Sequence, residues 1–529
     1  MRRKTSWEQG GPLQCPVRFL ESSPSRAKES RPGFGISKLA CRPSRSSHKR
    51  RRALMDVSLL AREPDLRAKA EKAGQGHLFL WWPELGIAEK ERLLRQVAHI
   101  DFDLLQELVR VLVLDRTKEP LMPLEPAPVV PLPADEKGRR DRQRARQEGE
   151  ALLRAGKVAP LVAAGGQGTR LGFEGPKGAF PIGPVSKACL FRILAERILA
   201  VRRRYGAAVP WYVLTSPTND RQTRRFFQEQ GWFGLPKEDV VFFQQGALPA
   251  VDLAGKILLE DKAEVAMSPD GHGGTLPALW KSGVLDDMER RGIEEISYFQ
   301  VDNVLVPPLD PVFAGCHRLG GAEMSSKVVR KAYPEEKVGV FCLREGKLAV
   351  VEYSDLSPEQ MHATGPDGTL RYWAGNIAVH MIRVDFVRRL QAENLRLPFH
   401  RAEKKIRCIG ADGKPVVPDK PNGVKFETFI FDALPLARRS VTLEVSRKEE
   451  FSPVKNARGV DSPESAQRDL MELHASWLED AGVSVPRKPD GSLAFRIEIS
   501  PLFALDREEL KARLRSGFRV DRDLYLSGS

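Results

Sequence analysis

The chain has 529 residues, 41% of them hydrophobic, with six cysteines and a formal net charge of +14. That length calls for two or three domains, and no run of about 18 apolar residues occurs, which argues against a membrane-spanning helix. The cysteines (Cys15, Cys41, Cys189, Cys316, Cys342, Cys408) lie far apart with no CxxC pair, which argues against a zinc site or a disulfide scaffold and suits a reducing cytoplasm.

The positive charge is concentrated at the start. Residues 1–54 hold 14 Lys and Arg against three Glu, so +11 lies there and the other 475 residues carry only +3. A nucleic-acid partner would rest on this tail alone, and the near-neutral body argues against one. The tail, with "RPSRSSHKRRR" at Arg42–Arg52, has no apolar period and is expected to be disordered. It lacks the apolar core of a secretory signal. Met55 opens the first helical pattern, so residues 1–54 are read as lying upstream of the true start and outside the catalytic machinery.

Residues 55–135 are read as a helical region followed by a proline-rich strap. Leu93, Leu94, Val97 and Ile100, then Leu104, Leu105 and Leu108, recur at helical spacing. "EPLMPLEPAPVVPLP" (Glu119–Pro133) cannot be helical and reads as an extended linker or strap. Residues 136–446 then alternate. A charged helix leads to the apolar strand "KVAPLVAA", the helix "LFRILAERILAVRRR" and the strand "PWYVLTS". The helix "NDRQTRRFFQEQ" follows, with Asn219 or Asp220 expected as its cap, and then the strands "DVVFFQQ" and "EEISYFQVDN". This order predicts an α/β fold with a parallel sheet covered on both faces. After Asp302 the pattern becomes one of antiparallel strands joined by polar turns, a mixed extension of the sheet. Residues 447–529 predict a small C-terminal α+β domain.

The chemistry centres on "LVAAGGQGTRLGFEGPKGAFPIG" (Leu161–Gly183). Gly165, Gly166, Gly168 and Gly172 give GGxGxxxG, which is neither a Walker loop nor a dinucleotide fingerprint. The loop leaves a buried strand, so it lies at the sheet edge where α/β proteins bind ligands. Glycines let main-chain N–H groups close on phosphate, and Arg170 and Lys177 add two cations. A tight turn with solvated cations is the bland alternative for the loop taken by itself.

This loop resembles the signature of sugar nucleotidyltransferases. Further stretches follow in the order found in UDP-N-acetylhexosamine pyrophosphorylases of the eukaryotic-type UDP-sugar pyrophosphorylase family. They are "FFQQGALPAV", "SPDGHGG", "VDN", "VVEYS", "AGNIA", "PDKPNGVKFETFIFD" and "EFSPVKNA". The resemblance runs from about Asp56 to the C-terminus. It implies a Rossmann-like, glycosyltransferase-A-type mixed sheet flanked by helices, with an N-terminal helical region. It implies transfer of uridylyl from UTP to a sugar 1-phosphate, releasing pyrophosphate, assisted by Mg²⁺, in the cytoplasm.

Residue roles come from the same resemblance. Ala164, Gly165 and Gly166 would contact UTP through the main chain, with Gln245 reading the uracil and Gly271 and Lys425 also on the UTP. Asp302 would hold Mg²⁺ and the nucleotide. Arg170, Lys177 and Lys455 would be the catalytic cations, and closure of the C-terminal segment would bring Lys455 in. His272, Glu352 and Asn376 would bind the sugar. His272 departs from the asparagine of animal relatives, and "TLPAL" after the glycines is a second departure, so the sugar preference is left open. N-acetylglucosamine 1-phosphate is the expected acceptor. UDP-glucose or broad UDP-sugar synthesis is the enzyme alternative, and a nucleotide-sugar sensor without turnover is the alternative of another class.

Overall fold

The computed structural model describes residues 59–115 and 123–528; the expectations for residues 1–54 fall outside them. The N-terminal region is helical as its periodicity predicts, with α1 (Glu63–Lys72), α2 (Ile87–His99) and α3 (Phe102–Leu108). Leu93, Leu94 and Val97 of α2 pack with Leu105 and Leu108 of α3, and also against Val251, Val265, Val424 and Phe426. From residue 123 on, the proline-rich stretch is a strap. Leu124–Pro126 (β1) pairs antiparallel with Cys342–Arg344, and Val130 bridges Leu443. Prolines cannot donate to a ladder, so they belong on such an edge.

The alternating region forms α4 (Glu136–Arg154), β2 (Val158–Ala163), α5 (Leu190–Tyr205), β3 (Trp211–Thr215), α6 (Asp220–Glu229), β4 (Val240–Gln244) and β5 (Glu295–Gln300). The four strands are parallel in the order β5–β2–β3–β4. Their side chains alternate between two cores. Val158, Val162, Trp211 and Val213 face one apolar cluster, while Ala159, Leu161, Tyr212 and Leu214 face the other. Both faces are therefore covered, which explains why these strands read as continuous apolar runs.

Beyond Asp302 come α7 (Pro311–Leu319), β6 (Met324–Arg330), β7 (Val340–Arg344), β8 (Lys347–Val351), β9 (Ala374–Arg383), β10 (Gly423–Thr428) and β11 (Thr442–Glu444). β9 runs antiparallel to β5 and to β6, and β7 and β8 form a hairpin. The result is a mixed sheet of ten strands among the described residues. β6 and β7 do not pair with each other, although they are consecutive, because both are joined to β9. β10 lies outside this sheet, in a three-stranded one.

The C-terminal segment is a mixture of helix and strand. α8 (Pro463–Asp480) starts at Ser462, whose side chain accepts from Ser465 N. Ile497–Ile499 pairs in parallel with Leu524–Leu526. Leu478, Ile497 and Leu510 share a small core of their own, while Ala466 and Leu470 pack on Ile182, Ile193 and Val304. No described helix is long and apolar enough to cross a membrane.

Candidate active site

The glycine loop begins where β2 ends. Ala164 N still donates to Leu214 O at 2.8 Å, extending the pairing with β3 by one residue. The chain then turns its carbonyls away from the site. Asn219 Nδ2 donates to Ala164 O at 2.8 Å and to Gly166 O at 3.2 Å, and Ser216 Oγ donates to Gly165 O at 2.8 Å. With these carbonyls held from behind, the N–H groups of Gly165 and Gly166 are left without a protein acceptor among the described residues. Such a row of free N–H groups is an anion nest. The expected cap of α6 is thereby corrected. Asn219 occupies the capping position but makes no cap bond, because its fully buried amide is committed to the loop.

The loop closes on itself, Gly168 N donating to Gly175 O at 2.9 Å and Lys177 N to Gly166 O at 3.2 Å. This returns Lys177 beneath the glycines, where its Nζ lies 2.9 Å from Asp302 Oδ2. β5 and β2 run in register, Gln300 opposite Ala163, so Asp302 and the loop emerge at the same sheet edge. Asp302 is only 8% exposed. Burial works against its charge, but Lys177 and Lys455 outweigh that and hold the carboxyl below the usual range. One ionised, buried carboxylate at a phosphate-binding edge is a donor set that fits Mg²⁺, which takes few protein ligands and keeps water and phosphate oxygens.

Lys455 arrives on an arm already docked, so no closure is needed to bring it to the cavity. Val454 N donates to Asp302 O at 3.0 Å. Asn303 Nδ2 donates to Glu450 O at 2.6 Å, and its Oδ1 accepts from Ser452 N at 3.0 Å. Beneath the arm, Lys327 of β6 is fully buried, with Nζ 2.6 Å from Asp310 and 2.5 Å from Glu450. Burial would discharge it, but the two carboxylates prevail and keep the ammonium charged.

A cavity of about 150 Å³ opens beside Asp302, lined by His272, Glu352, Asn376, Phe431, Lys337 and Lys455 among others. Asn376 sits beside an irregularity in the β6–β9 ladder. Its N donates to Gly339 O at 2.8 Å, and its Oδ1 accepts from Ala378 N at 2.9 Å. Ala378 has φ 54°, a left-handed conformation strained for alanine. Glu352, just past β8, is pushed up by burial and by Asp355. Gly339 packs so closely on it that a Cβ there would lie 2.9 Å from Glu352 Oε1.

His272 opens a short turn after Gly271, whose φ of +83° places it in the left-handed region. The His272 ring stacks on Phe429, with centroids 5.3 Å apart, and its Nδ1 accepts from Ile430 N at 3.2 Å. Nε2 therefore carries the proton. Burial and the neighbouring His400 pull its pKa down to about 4, so the ring is neutral. Gln245, at the end of β4, donates through Nε2 to Gly271 O at 3.2 Å.

Asp302, Lys455, His272, Glu352 and Asn376 thus line one cavity, and Lys177 joins them through Asp302. The other predicted residues lie outside its lining: Ala164, Gly165 and Gly166 on the glycine loop, Gln245, and Gly271 next to His272 in the chain. Arg170 is exposed on the turn Thr169–Leu171, and Lys425 lies on β10 opposite Ala402; neither lines this cavity. Asn219, Ser216, Lys327, Gly339 and Lys337 escaped sequence reasoning. Asn219 looked like a cap and Lys327 like an ordinary strand lysine, so neither gave a distinguishing signal.

A doubly covered parallel sheet whose edge carries an anion nest is an α/β architecture built to bind phosphate-bearing ligands. Residues 119–482 match the family model described as UTP–glucose-1-phosphate uridylyltransferase, and the chain belongs to that family. It is 41% identical over 492 residues to human "UDP-N-acetylhexosamine pyrophosphorylase-like protein 1", covering 86% of this chain and 96% of the relative. "UDP-N-acetylglucosamine diphosphorylase 2" of Arabidopsis thaliana is 39% identical over 465 residues, covering 84% and 90%. The solved Trypanosoma brucei uridine diphosphate N-acetylglucosamine pyrophosphorylase, in complex with inhibitor, superposes with a TM-score of 0.73. It is 28% identical and covers 87% of this chain and 97% of that one.

Proposed function

We propose that this uridylyltransferase converts UTP and N-acetylglucosamine 1-phosphate to UDP-N-acetylglucosamine and pyrophosphate. The observation that carries the reading is the meeting of Asp302, Lys177 and Lys455 with Glu352, Asn376 and His272 around one cavity beside the glycine loop. An oxygen of the sugar phosphate attacks the α-phosphorus of UTP as the bond to the β-phosphate oxygen breaks. A phosphomonoester has a second pKa of about 6 and is already largely dianionic near neutral pH, so the nucleophile needs no general base. The protein must instead align two polyanions and stabilise the leaving pyrophosphate.

In this reading Ala164, Gly165 and Gly166 hold the nucleotide through the main chain, and Gln245 and Gly271 face the base. Lys177 and Lys455 offset charge at the reacting phosphates. Arg170 and Lys425, which stand away from the cavity, would take part only by reaching toward bound phosphate. Asp302 would hold Mg²⁺, which when bound screens the phosphate charges. Glu352 would accept from sugar hydroxyls, with Asn376 and the His272 Nε2–H near the 2-substituent. The relatives named for N-acetylglucosamine support this acceptor. Free thiols at Cys189, Cys316, Cys342 and Cys408 support a cytoplasmic setting.

Pyrophosphate release from UTP with a panel of sugar 1-phosphates tests the proposal. N-acetylglucosamine 1-phosphate should exceed glucose 1-phosphate by at least roughly tenfold in kcat/KM. A preference for glucose 1-phosphate would move the chain to the UDP-glucose activity that its family model names, and no turnover would leave a sensor.

A further inference from the structure

Asp270 lies behind Gln245 and has no place in the reaction described so far. Its main chain is held on both sides: its N donates to Gly246 O at 3.1 Å, and its O accepts from Thr428 N at 2.8 Å. Its carboxyl is wedged between two glycines. A Cβ on Gly246 would lie 2.4 Å from Oδ2, and one on Gly274 would lie 2.0 Å from Oδ1. Space has been left for this carboxylate and for nothing larger. What it faces is the Gln245 amide, with Nε2 3.4 Å from Asp270 Oδ1 and 3.2 Å from Gly271 O.

Both of those oxygens are acceptors, so the amide nitrogen must point at them and both its hydrogens are spoken for. The carbonyl Oε1 is turned the opposite way, against the glycine loop, where a Cβ on Gly165 would come within 2.6 Å of it. We infer that Asp270 is a positioning residue that sets base preference, by holding Gln245 with its acceptor toward the nucleotide. Uracil presents a donor at N3 and matches Oε1. Cytosine presents an acceptor at N3 and meets it lone pair to lone pair. Burial pushes the Asp270 carboxyl up to about 6, with only a weak opposing pull from Lys281 among charged side chains. Above pH 7 it is therefore ionised and can only accept.

The inference rests on the reading of Gln245 as a base contact. Its test is kcat/KM for UTP and for CTP at pH 8, with N-acetylglucosamine 1-phosphate, using the full chain. The wild type should favour UTP by roughly a hundredfold or more. Asp270→Asn offers Gln245 Oε1 a donor, leaves Gly271 O as the one acceptor still orienting the amide, and should narrow the ratio at least tenfold. Gly246→Ala keeps the carboxylate but displaces it, and should narrow the ratio by threefold or more. If Asp270→Asn does not fold, Gly246→Ala decides alone. Ratios within twofold of wild type in the folded variants, whatever their overall activity, overturn the positioning role. Turnover of UTP with no preference over CTP overturns it too, leaving the proposed reaction standing. Turnover of neither nucleotide overturns the proposed reaction, and this inference with it.

Discussion

The two halves of the candidate site are built from different material. On the glycine-loop side, parallel strands end together and offer main chain: Gly165 and Gly166 turn out N–H groups while Ser216 and Asn219 hold the carbonyls. On the far side, antiparallel β8 and β9 and the turn after Gly271 offer side chains. Each of these is held by a local device: Ala378 at positive φ beside Asn376, Gly339 against Glu352, and Ile430 N on His272. Backbone dipoles answer to charge and need no side-chain ordering, so they suit a triphosphate. A pattern of sugar substituents can be told apart only by groups fixed in position. On the proposed reading, binding of phosphate and choice of sugar would belong to separate halves, with Asp302, Lys177 and Lys455 as the seam between them.

The largest effect is expected at the seam. Asp302→Asn removes the carboxylate that pairs with Lys177 and would hold the metal; an amide is a far poorer ligand for a hard cation. Turnover should fall by roughly 10³ or more, with the Mg²⁺ requirement raised. Turnover within tenfold of wild type, at unchanged Mg²⁺ dependence, would reduce Asp302 to a partner of Lys177. Next comes the main-chain half. Asn219→Ala strands two groups, the carbonyl of Ala164 and the N–H of Ser216, and leaves Gly166 O with Lys177 N alone. At about 1–3 kcal/mol per stranded group, partly relieved by loop movement, kcat/KM for UTP should drop roughly 10–100-fold. The ratio between sugar substrates should not move. A changed sugar ratio would break the division between the halves.

The same division decides what the sequence could reveal. The parallel half was legible because strand, glycine loop and PKG follow one another within a single stretch, and apolar runs announce doubly buried strands. The far half was not. Glu352, Asn376 and His272 are scattered over the chain, and the resemblance alone brought them to notice. Asn219 and Lys327 were hidden for another reason: Asn before a helix is ordinarily a cap, and a strand lysine is ordinarily solvated. Only the tertiary packing shows one holding the loop and the other buried between Asp310 and Glu450. Consecutive β6 and β7 likewise read as neighbours, whereas β9, which begins at Ala374, 30 residues after β7 ends at Arg344, joins them both.

A smaller effect should isolate the side-chain half. An N-acetyl group offers a carbonyl and an N–H that a 2-hydroxyl does not reproduce. Asn376→Ala should lower kcat/KM for N-acetylglucosamine 1-phosphate by roughly tenfold, about one unsatisfied group, while changing glucose 1-phosphate and the KM for UTP by less than threefold. Equal losses with both sugars would mean that Asn376 supports the fold of β9 and does not read the sugar.

The smallest effect concerns the charge state of that half. His272 can donate from Nε2 and accept Ile430 N at Nδ1 only while neutral. Its folded pKa of about 4 lies below the ordinary value of 6.5, so between these values the unfolded chain binds the extra proton. The stability contributed by keeping the ring neutral is thus fully present above about pH 6.5 and is lost as pH falls toward 4. His380 and His474, each pulled by burial to about 3, act in the same direction, whereas Asp270, pushed up to about 6, partly opposes it. His272→Asn keeps a donor but cannot titrate. Between pH 7.5 and 5.5 it should lose about 1.3 kcal/mol less stability than the wild type, the part of this shift that falls within that window. Denaturant titrations of both proteins at the two pH values measure the difference. Parallel losses would show that His272 can charge without cost, and that the sugar half does not depend on a neutral ring.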